Sequence, residues 1–326
     1  MTKPVVLHAF PLPHRARAPL AERYDLHGPL DTSAAEAVPE AARGARVLVT
    51  LGGLRTGAAL MAALPDLGLI ACYGTGYEGV DRAAAAARGI LVTHGGDANA
   101  TSVAEFAMGL VLAAARLVLR GDGLVRAGRW REGLPLVPGL AGRRIGVYGL
   151  GSIGLRIARR AEAFEMEVGY HNRSPRGDVP YAWHGSLAGL AAWADVLVVA
   201  VRAGAENRHS VGREVLDALG REGVLVNVAR GLVVDHDALC EALEGGRIAG
   251  AGLDVHEAEP HVPERLRALG NAVLTPHMAA MTTGAQAAQV RVLLDNLDAF
   301  FAGRPLRWLA PAVQGRADRD GDARPR

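Results

Sequence analysis

The stretch YGLGSIG, from Tyr148 to Gly154, closes a short apolar run and opens a segment with helical spacing. Its glycines, Gly149, Gly151 and Gly154, stand at G-x-G-x-x-G spacing. Glycine at these places lets a backbone turn approach a pyrophosphate closely, and the free amides at the following helix N-terminus bind its charge. The stretch therefore predicts a dinucleotide-binding turn rather than a glycine-rich turn of an unrelated unit. Main-chain contacts to the pyrophosphate are predicted at three further residues: Leu150, Ser152 and Ile153.

The loop after the next strand decides which dinucleotide is bound. Asn172, Arg173 and Ser174 occupy the place where an acidic residue would select NAD by binding its ribose hydroxyl. A guanidinium instead matches a phosphate dianion, and such a charge-assisted hydrogen bond contributes about 1.5–3 kcal/mol. The loop therefore predicts that NADPH is preferred over NADH. The alternative is an arginine that is merely solvated at the tip of a loop.

Length and composition exclude several classes of protein. A chain of 326 residues is long enough for two domains of ordinary size. Lys3 is its only lysine, which argues against a Walker-type phosphate loop and a catalytic Schiff base. Cys72 and Cys240 are the only cysteines, too few for a zinc cluster, so both are expected in the core and no metal is predicted. The net charge of +2 is spread without a basic, aromatic-rich patch, so no nucleic-acid partner is predicted.

The longest apolar stretch, from Ala107 to Leu119, is interrupted by Arg116. It falls short of the roughly 20 residues that cross a bilayer, so it is predicted to be a buried helix. The N-terminal residues lack a long apolar region followed by a small-residue cleavage site. We therefore expect no membrane association and a cytoplasmic location.

Short runs rich in Val, Ile and Leu alternate along the chain with segments of helical spacing. The runs lack the in-out alternation of a half-exposed sheet, which predicts parallel strands buried on both faces. They lie at residues 5–7, 47–50, 90–93, 145–149, 196–201 and 224–229. The alternation predicts an α/β fold with two doubly wound parallel-sheet domains.

A long helical segment joins two sets of strands, one before about residue 98 and one from about 145 to 276. Ser102 and Glu105 form a capping-box pattern, which predicts that this helix begins there. A last long helix, at about 284–301, is expected to pack back onto the first set of strands. The final segment, at about 315–326, alternates charges without apolar anchors and is predicted to be disordered.

Three further motifs follow the glycine turn: VNVARGLVVD at 226–235, GLDVHEAEP at 252–260 and LTPHMAAMT at 274–282. With GTGYEGVD at 74–81 they occur in an order that resembles the D-isomer-specific 2-hydroxyacid dehydrogenases. The resemblance extends over nearly the whole chain. Within that family the chain is most similar to the NADPH-preferring glyoxylate, hydroxypyruvate and hydroxyphenylpyruvate reductases.

The resemblance implies which residues carry the chemistry. The arginine, glutamate and histidine of these motifs are Arg230, Glu259 and His277, and they are the expected catalytic residues. Reduction of a 2-keto acid needs a grip on the carboxylate, which a planar guanidinium provides, and a proton, which an imidazole supplies. A carboxylate beside the imidazole would favour its charged form. The simpler alternatives are a surface cation, a turn residue and a core histidine, respectively.

The resemblance also implies that one domain binds the cofactor and the other binds the substrate. Residues 99–286 would form a Rossmann dinucleotide-binding domain, and residues 1–98 with 287–326 a flavodoxin-like substrate domain. Thr75 and Gly76 would bind the substrate carboxylate together with Arg230, in a cleft between the domains. Asp254 and Val228 would contact the nicotinamide. The implied reaction is NADPH-dependent reduction of a small 2-keto acid to the D-2-hydroxy acid.

Several questions stay open at this level. The family commonly has an aromatic residue where this chain has His256, and glycine or serine where it has Ala279 and Ala280, so the preferred substrate side chain is undecided. A homodimer formed through the helix near 102–120 and the segment after it, including Trp130, is implied by resemblance. Two other functions compete: a nucleotide-sensing, corepressor-like interaction protein, and a dehydrogenase of another small anion.

Overall fold

The computed structural model describes residues 2–30 and 37–311. The chain divides into two compact units: Met1–Ala98 with Gln286–Arg326, and Asn99–Ala285. The segment predicted to be disordered, at about 315–326, lies outside the described residues. Each unit is built on its own parallel sheet.

The first unit contains a five-stranded sheet in the order β2-β1-β3-β4-β5. All neighbouring strands are parallel, and the order is the one found in flavodoxin-like folds. The runs VLVT and LIAC are buried at every residue, as expected for strands covered on both faces. The strands are β1 (Val5–His8), β2 (Asp25–His27), β3 (Val47–Thr50), β4 (Leu69–Cys72) and β5 (Leu91–Thr93).

Two apolar clusters lie on opposite faces of this sheet. Successive side chains of a strand point to opposite faces, so Leu7 joins one cluster and Val6 the other. Leu60 packs into the first cluster and Leu20 into the second. The helices before the second unit are α1 (His14–Arg23), α2 (Ala58–Ala62) and α3 (Arg82–Ala87).

The second unit contains a seven-stranded parallel sheet in the order β12-β11-β10-β9-β6-β7-β8. The chain starts at β6 and winds outward to one side and then to the other, which is the Rossmann arrangement with one added strand. These two sheets confirm the predicted fold class. The strands are β6 (Arg144–Tyr148), β7 (Glu167–His171), β8 (Ala182–Trp183), β9 (Val196–Val199), β10 (Val224–Asn227), β11 (Gly250–Leu253) and β12 (Ala272–Leu274).

Helices cover both faces of this sheet, where alternating strand residues enter two apolar clusters. Val198 points into one cluster and Leu197 into the other. Cys72 in the first unit and Cys240 in the second are both buried, as expected. The helices are α4 (Ala100–Ala115), α5 (Val118–Arg126), α6 (Ser152–Ala163), α7 (Leu187–Trp193), α8 (Arg213–Leu219), α9 (His236–Glu244) and α10 (Glu264–Arg267).

The start of α4 differs from the capping-box prediction. The helix begins at Ala100, so Ser102 already lies inside its first turn. The Ser102 hydroxyl donates to the carbonyl of Ala279 at 2.7 Å, and the Glu105 carboxylate pairs with Arg160 at 3.1 Å. Both side chains thus bind other parts of the unit, and neither caps the helix.

The apolar stretch predicted as one buried helix is divided into two. The helix α4 ends at Ala115, Leu117 adopts a left-handed φ of +56°, and α5 follows. No single helix among residues 2–30 and 37–311 has both the length and the apolar character to cross a membrane. The bent pair α4 and α5, with 63° between them, passes that test when the two are taken together.

The last helix, α11 (Thr283–Phe301), packs on the sheet of the first unit. Val290, Leu293 and Leu297 enter the same apolar cluster as Val6. The Asp298 carboxylate accepts a hydrogen bond from the Tyr24 hydroxyl at 2.5 Å. This helix therefore returns to the first set of strands, as the sequence predicted.

Candidate active site

The glycine turn lies where β6 ends and α6 begins. Gly149 has a φ of +99°, and a Cβ there would lie 2.5 Å from the Cα of Val201. A Cβ on Gly154 would lie 2.2 Å from the carbonyl oxygen of Gly149, so the helix approaches the strand as closely as glycine permits. A Cβ on Gly151 would meet no atom of the described residues within 4 Å, so this backbone is open on its outer side. The turn fits a dinucleotide pyrophosphate, which binds to exposed amides at a helix N-terminus.

Asn172 and Arg176 brace this turn from the neighbouring loop. Asn172 Oδ1 accepts a hydrogen bond from the Leu150 amide at 2.7 Å, and Arg176 Nη1 donates to the Leu150 carbonyl at 2.7 Å. Both main-chain polar groups of Leu150 thus form bonds within the protein, and its contact with the pyrophosphate stays a prediction. Ser152 and Ile153 open α6, where helix geometry leaves the amides without intrahelical partners.

The loop predicted to select the nucleotide follows β7. Arg173 and Ser174 are exposed there. Arg176 forms an ion pair with Asp178 at 2.5 Å, whereas no described residue pairs with the Arg173 guanidinium. The two arginines therefore differ in role: Arg176 supports the glycine turn, and Arg173 presents its charge to solvent or to a ligand.

His277 and Glu259 are in direct contact. His277 Nδ1 lies 2.8 Å from Glu259 Oε2, and the other carboxylate oxygen accepts a hydrogen bond from the His256 amide at 3.0 Å. Burial alone would raise the pKa of Glu259, but the hydrogen bonds from His277 and His256 and the charges of His277 and Arg230 lower it below its ordinary value of 4.5. Glu259 is therefore ionised at neutral pH. Its carboxylate orients the imidazole of His277 through the 2.8 Å contact.

Arg230 lies just beyond β10 in a segment that Asn227 supports. The amide group of Asn227 is fully buried; its Oδ1 accepts from the Ala229 amide at 3.0 Å and its Nδ2 donates to the Arg230 carbonyl at 3.0 Å. Arg230 Nη1 donates to the Ala229 carbonyl at 2.8 Å. The positive charge of Arg230 contributes to the low pKa of Glu259. All three predicted catalytic residues thus interact within one unit.

Asp254 holds the loop that carries His277. Its Oδ1 accepts from the Thr275 hydroxyl at 2.6 Å and from the Met278 amide at 2.9 Å, and its Oδ2 accepts from the Ala279 amide at 2.9 Å. Only 1% of Asp254 is exposed, and these three donors compensate for the burial of a carboxylate. The structure thus gives Asp254 a role in shaping the loop. Its contact with the nicotinamide stays a prediction.

The remaining predicted residues lie at strand ends. Val228 is buried directly after β10. In the first unit, Thr75 and Gly76 follow β4, and a Cβ on Gly52 would lie 2.2 Å from the carbonyl carbon of Gly76. This tight approach fixes the Thr75 turn at the carboxyl edge of its own sheet. The substrate contacts of Thr75 and Gly76 stay predictions.

Sequence reasoning did not identify four supporting roles. Asn227 braces Arg230, Asn172 and Arg176 brace the glycine turn, and His256 contacts both Glu259 and the loop before His277. Asn227 and His256 both lie inside the motifs that were quoted, so their positions were a usable signal. Arg176 carried no such signal, because its bond to Leu150 depends on how two loops meet. Among the described residues no group of His, Cys, Asp and Glu has the arrangement of a metal site.

The sequence profile of the D-isomer specific 2-hydroxyacid dehydrogenase NAD-binding domain matches residues 108–279. The chain belongs to this family. The match confirms the resemblance drawn from the motifs, and the prediction that the protein is a dehydrogenase enzyme. Because the matched residues contain the glycine turn, the cofactor of this family member is a nicotinamide dinucleotide.

Several reductases are similar to this chain. It is 41% identical over 273 residues to a hydroxyphenylpyruvate reductase of Plectranthus scutellarioides, covering 83% of this chain and 87% of the relative. It is 38% identical over 266 residues to a glyoxylate reductase of Pyrococcus horikoshii, covering 78% and 80%. An NADPH-dependent glyoxylate/hydroxypyruvate reductase of Sinorhizobium meliloti, solved with NADP and malonate, superposes with a TM-score of 0.89 at 40% identity, covering 97% of this chain and 100% of that one.

The low pKa of Glu259 predicts a pH-dependent contribution to stability. A carboxylate whose folded pKa is lowered stabilises the fold above its ordinary pKa of 4.5, and this contribution is lost as the pH falls through the folded value. Glu259→Gln should therefore be less stable than the wild type at neutral pH. The difference should shrink progressively below pH 4.5. Urea unfolding across a pH series measures it, with Glu22→Gln at an exposed position of α1 as the matched control. A difference that does not change with pH would contradict the assignment.

Proposed function

We propose that the protein reduces a small 2-keto acid, such as glyoxylate, hydroxypyruvate or an arylpyruvate, to the D-2-hydroxy acid with NADPH. The observation that carries the proposal is the His277–Glu259 contact of 2.8 Å, with the Arg230 charge beside it, in the nicotinamide-binding unit. A general acid, its orienting carboxylate and an anion-binding guanidinium are the groups that this reduction needs. The names of the three similar reductases support the same chemistry.

Each catalytic residue has a distinct task. Arg230 binds the carboxylate and the carbonyl oxygen of the substrate with its planar guanidinium, which orients and polarises the carbonyl. His277 donates a proton from Nε2 to the oxygen as negative charge develops there, because its Nδ1 is occupied by Glu259. Glu259 stays ionised throughout and holds the imidazole ring in place. In the first unit, we assign the main-chain amides of Thr75 and Gly76 to the substrate carboxylate.

The nicotinamide cofactor, when bound, supplies the hydride that is added to the keto carbon. Gly151, Ser152 and Ile153 would bind its pyrophosphate through exposed backbone at the start of α6. Arg173 would bind a ribose phosphate, which favours NADPH over NADH. Val228 and Asp254 would border the nicotinamide. In this proposal residues 99–286 serve the cofactor and residues 1–98 with 287–326 serve the substrate; the cytoplasmic location stays a prediction.

We further propose that the enzyme is a homodimer. The helix α5 has no buried residue, and Val118 and Leu119 are 52% and 55% exposed. In the segment that follows, Trp130 is 65% exposed and Leu136 is fully exposed. A cleft of about 630 Å³, bordered by the end of α4 and residues 135–138, adjoins this surface. Exposed apolar residues concentrated in one segment of the chain are typical of an interface, and a second copy of the chain would cover them.

The first test is turnover of a substrate panel. We expect NADPH absorbance to fall with glyoxylate, hydroxypyruvate, pyruvate or phenylpyruvate. Chiral analysis of the products of the last three acids should identify the D-isomer, whereas glycolate from glyoxylate is achiral. His277→Asn should lower kcat about 10²–10⁴-fold, since a positioned acid contributes that much. Its affinity for NADPH, measured by fluorescence, should stay unchanged. Absence of wild-type turnover with every acid and both cofactors would refute the proposed function.

The second test concerns the choice of nucleotide. Arg173→Ala should raise the KM for NADPH about 10–100-fold, as expected for the loss of about 1.5–3 kcal/mol of charge-assisted hydrogen bonding. The KM for NADH should change little, because NADH has no phosphate at that ribose. Arg159→Ala, at an exposed position of α6, is the matched control. Equal changes for both cofactors would remove Arg173 from the site.

The third test concerns assembly. Light scattering coupled to size-exclusion chromatography should give twice the mass of the chain for the wild type. Leu119→Glu should shift the protein toward a monomer, because a carboxylate would be buried in the proposed interface. Phe164→Glu, at an exposed apolar residue directly after α6, should leave the mass unchanged. A monomeric wild type at micromolar concentration would disprove the dimer.

A further inference from the structure

We propose that His256 is the positioning residue that sets the mutual placement of Arg230, Glu259 and His277. The inference rests on the catalytic roles proposed above. His256 belongs to the segment after β11, and each of the three residues, or the chain beside it, contacts His256 directly. The residue thus lies where three segments that are distant in sequence meet.

The backbone of His256 makes the first two contacts. A Cβ on Gly231 would lie 2.0 Å from the carbonyl carbon of His256, so the chain after Arg230 rests directly on the His256 peptide. The His256 amide donates to Glu259 Oε1 at 3.0 Å. That bond leaves Glu259 Oε2 for His277. The His256 peptide therefore fixes the position of the chain that follows Arg230 and the orientation of the Glu259 carboxylate.

The imidazole of His256 makes the third contact. Its Nε2 lies 3.0 Å from the carbonyl oxygen of Thr275. Because a carbonyl oxygen only accepts, the ring must donate from Nε2. The same oxygen accepts the amide of His277 at 3.1 Å, which closes a tight turn around Pro276. His256 therefore binds the acceptor that holds the His277 turn together.

The turn needs this support because His277 has a φ of +51°. Left-handed backbone costs a non-glycine residue on the order of 1 kcal/mol, so it persists only where surrounding bonds hold it. The His277 amide also donates to the Asp254 carbonyl at 2.7 Å. His256 adds a second restraint, because its ring binds the Thr275 carbonyl that also accepts the His277 amide. Released from it, His277 would gain freedom to leave Glu259.

The surroundings of the ring favour this role over simple packing. His256 is 6% exposed, and its Nδ1 has no hydrogen-bond partner among the described residues. The ring meets the edge of His236 with 6.3 Å between centroids. An apolar ring would fill this buried space without leaving a polar nitrogen unbonded, so an imidazole here costs free energy that its Nε2 hydrogen bond helps to offset. The hydrogen bond to Thr275 is thus the property that distinguishes histidine at this position.

The test separates the donor from the volume of the ring. His256→Phe keeps an aromatic ring and the backbone contacts but removes the donor, whereas His256→Gln keeps an amide donor near the place of Nε2. We expect His256→Phe to lower kcat about tenfold and to change the KM for NADPH less than about twofold, because only the acid is displaced. His256→Gln should retain at least about half of the wild-type kcat. His236→Phe, a buried neighbour without a bond to the His277 turn, is the matched control and should lower kcat less than about threefold.

The outcomes distinguish this inference from the proposed function. If the wild type turns over no 2-keto acid, the proposed function fails before the variants are compared. If the wild type is active and His256→Phe matches it in kcat, the positioning role is wrong while the function stands. If His256→Phe and His256→Gln lose kcat equally, the donor is not the cause and the inference also fails. Circular dichroism and NADPH fluorescence titration confirm that each variant is folded and binds cofactor.

Discussion

The parallel register of three neighbouring strands brings the chemical groups of this enzyme together. The strands β10, β11 and β12 pair so that Asn227, Leu253 and Leu274 lie at one level. Each of the three motifs leaves the sheet directly beyond that level, so groups far apart in sequence emerge at one edge. A slip of two residues in one strand would move its motif by about 6–7 Å, and a slip of one would also reverse its faces. Either displacement is far larger than the tolerance of the 2.8 Å contact between His277 and Glu259.

The six apolar runs predicted as strands became β1, β3, β5, β6, β9 and β10. The sequence analysis did not identify the apolar run LIAC of β4, nor the strand β11, which has no such run. The strand β11 reads GAGL because a Cβ on Gly252 would already lie 3.1 Å from the Cβ of Leu110 in α4. Because α4 packs so closely, β11 contains small residues instead of the branched residues by which a strand is recognised in a sequence. The capping-box prediction failed for a similar reason, since the Ser102 hydroxyl binds Ala279, which is far along the chain. Local patterns cannot reveal partners that only the fold supplies.

The same distinction between local pattern and tertiary contact applies to the candidate site. The sequence singled out Arg230, Glu259 and His277 as catalytic candidates by their residue types and motifs, and the structure shows that these three groups interact. Their supports could not be predicted in the same way. The hydrogen bond from the Leu150 amide to Asn172 joins two loops. Whether such an amide bonds within the protein or to a ligand depends on how the two loops pack. Sequence motifs thus name the reacting groups, whereas the bonds that hold them are set by tertiary structure.

The loop that carries His277 combines two unfavourable features that compensate for each other. Asp254 is a buried carboxylate, and His277 has a left-handed backbone. The turn directs the amides of Met278 and Ala279 at the carboxylate, which supplies donors that burial would otherwise remove. In return, the carboxylate fixes a turn that an isolated chain would rarely adopt. The imidazole is consequently held before any ligand arrives, so binding energy need not be spent on ordering it and remains available to orient the substrate.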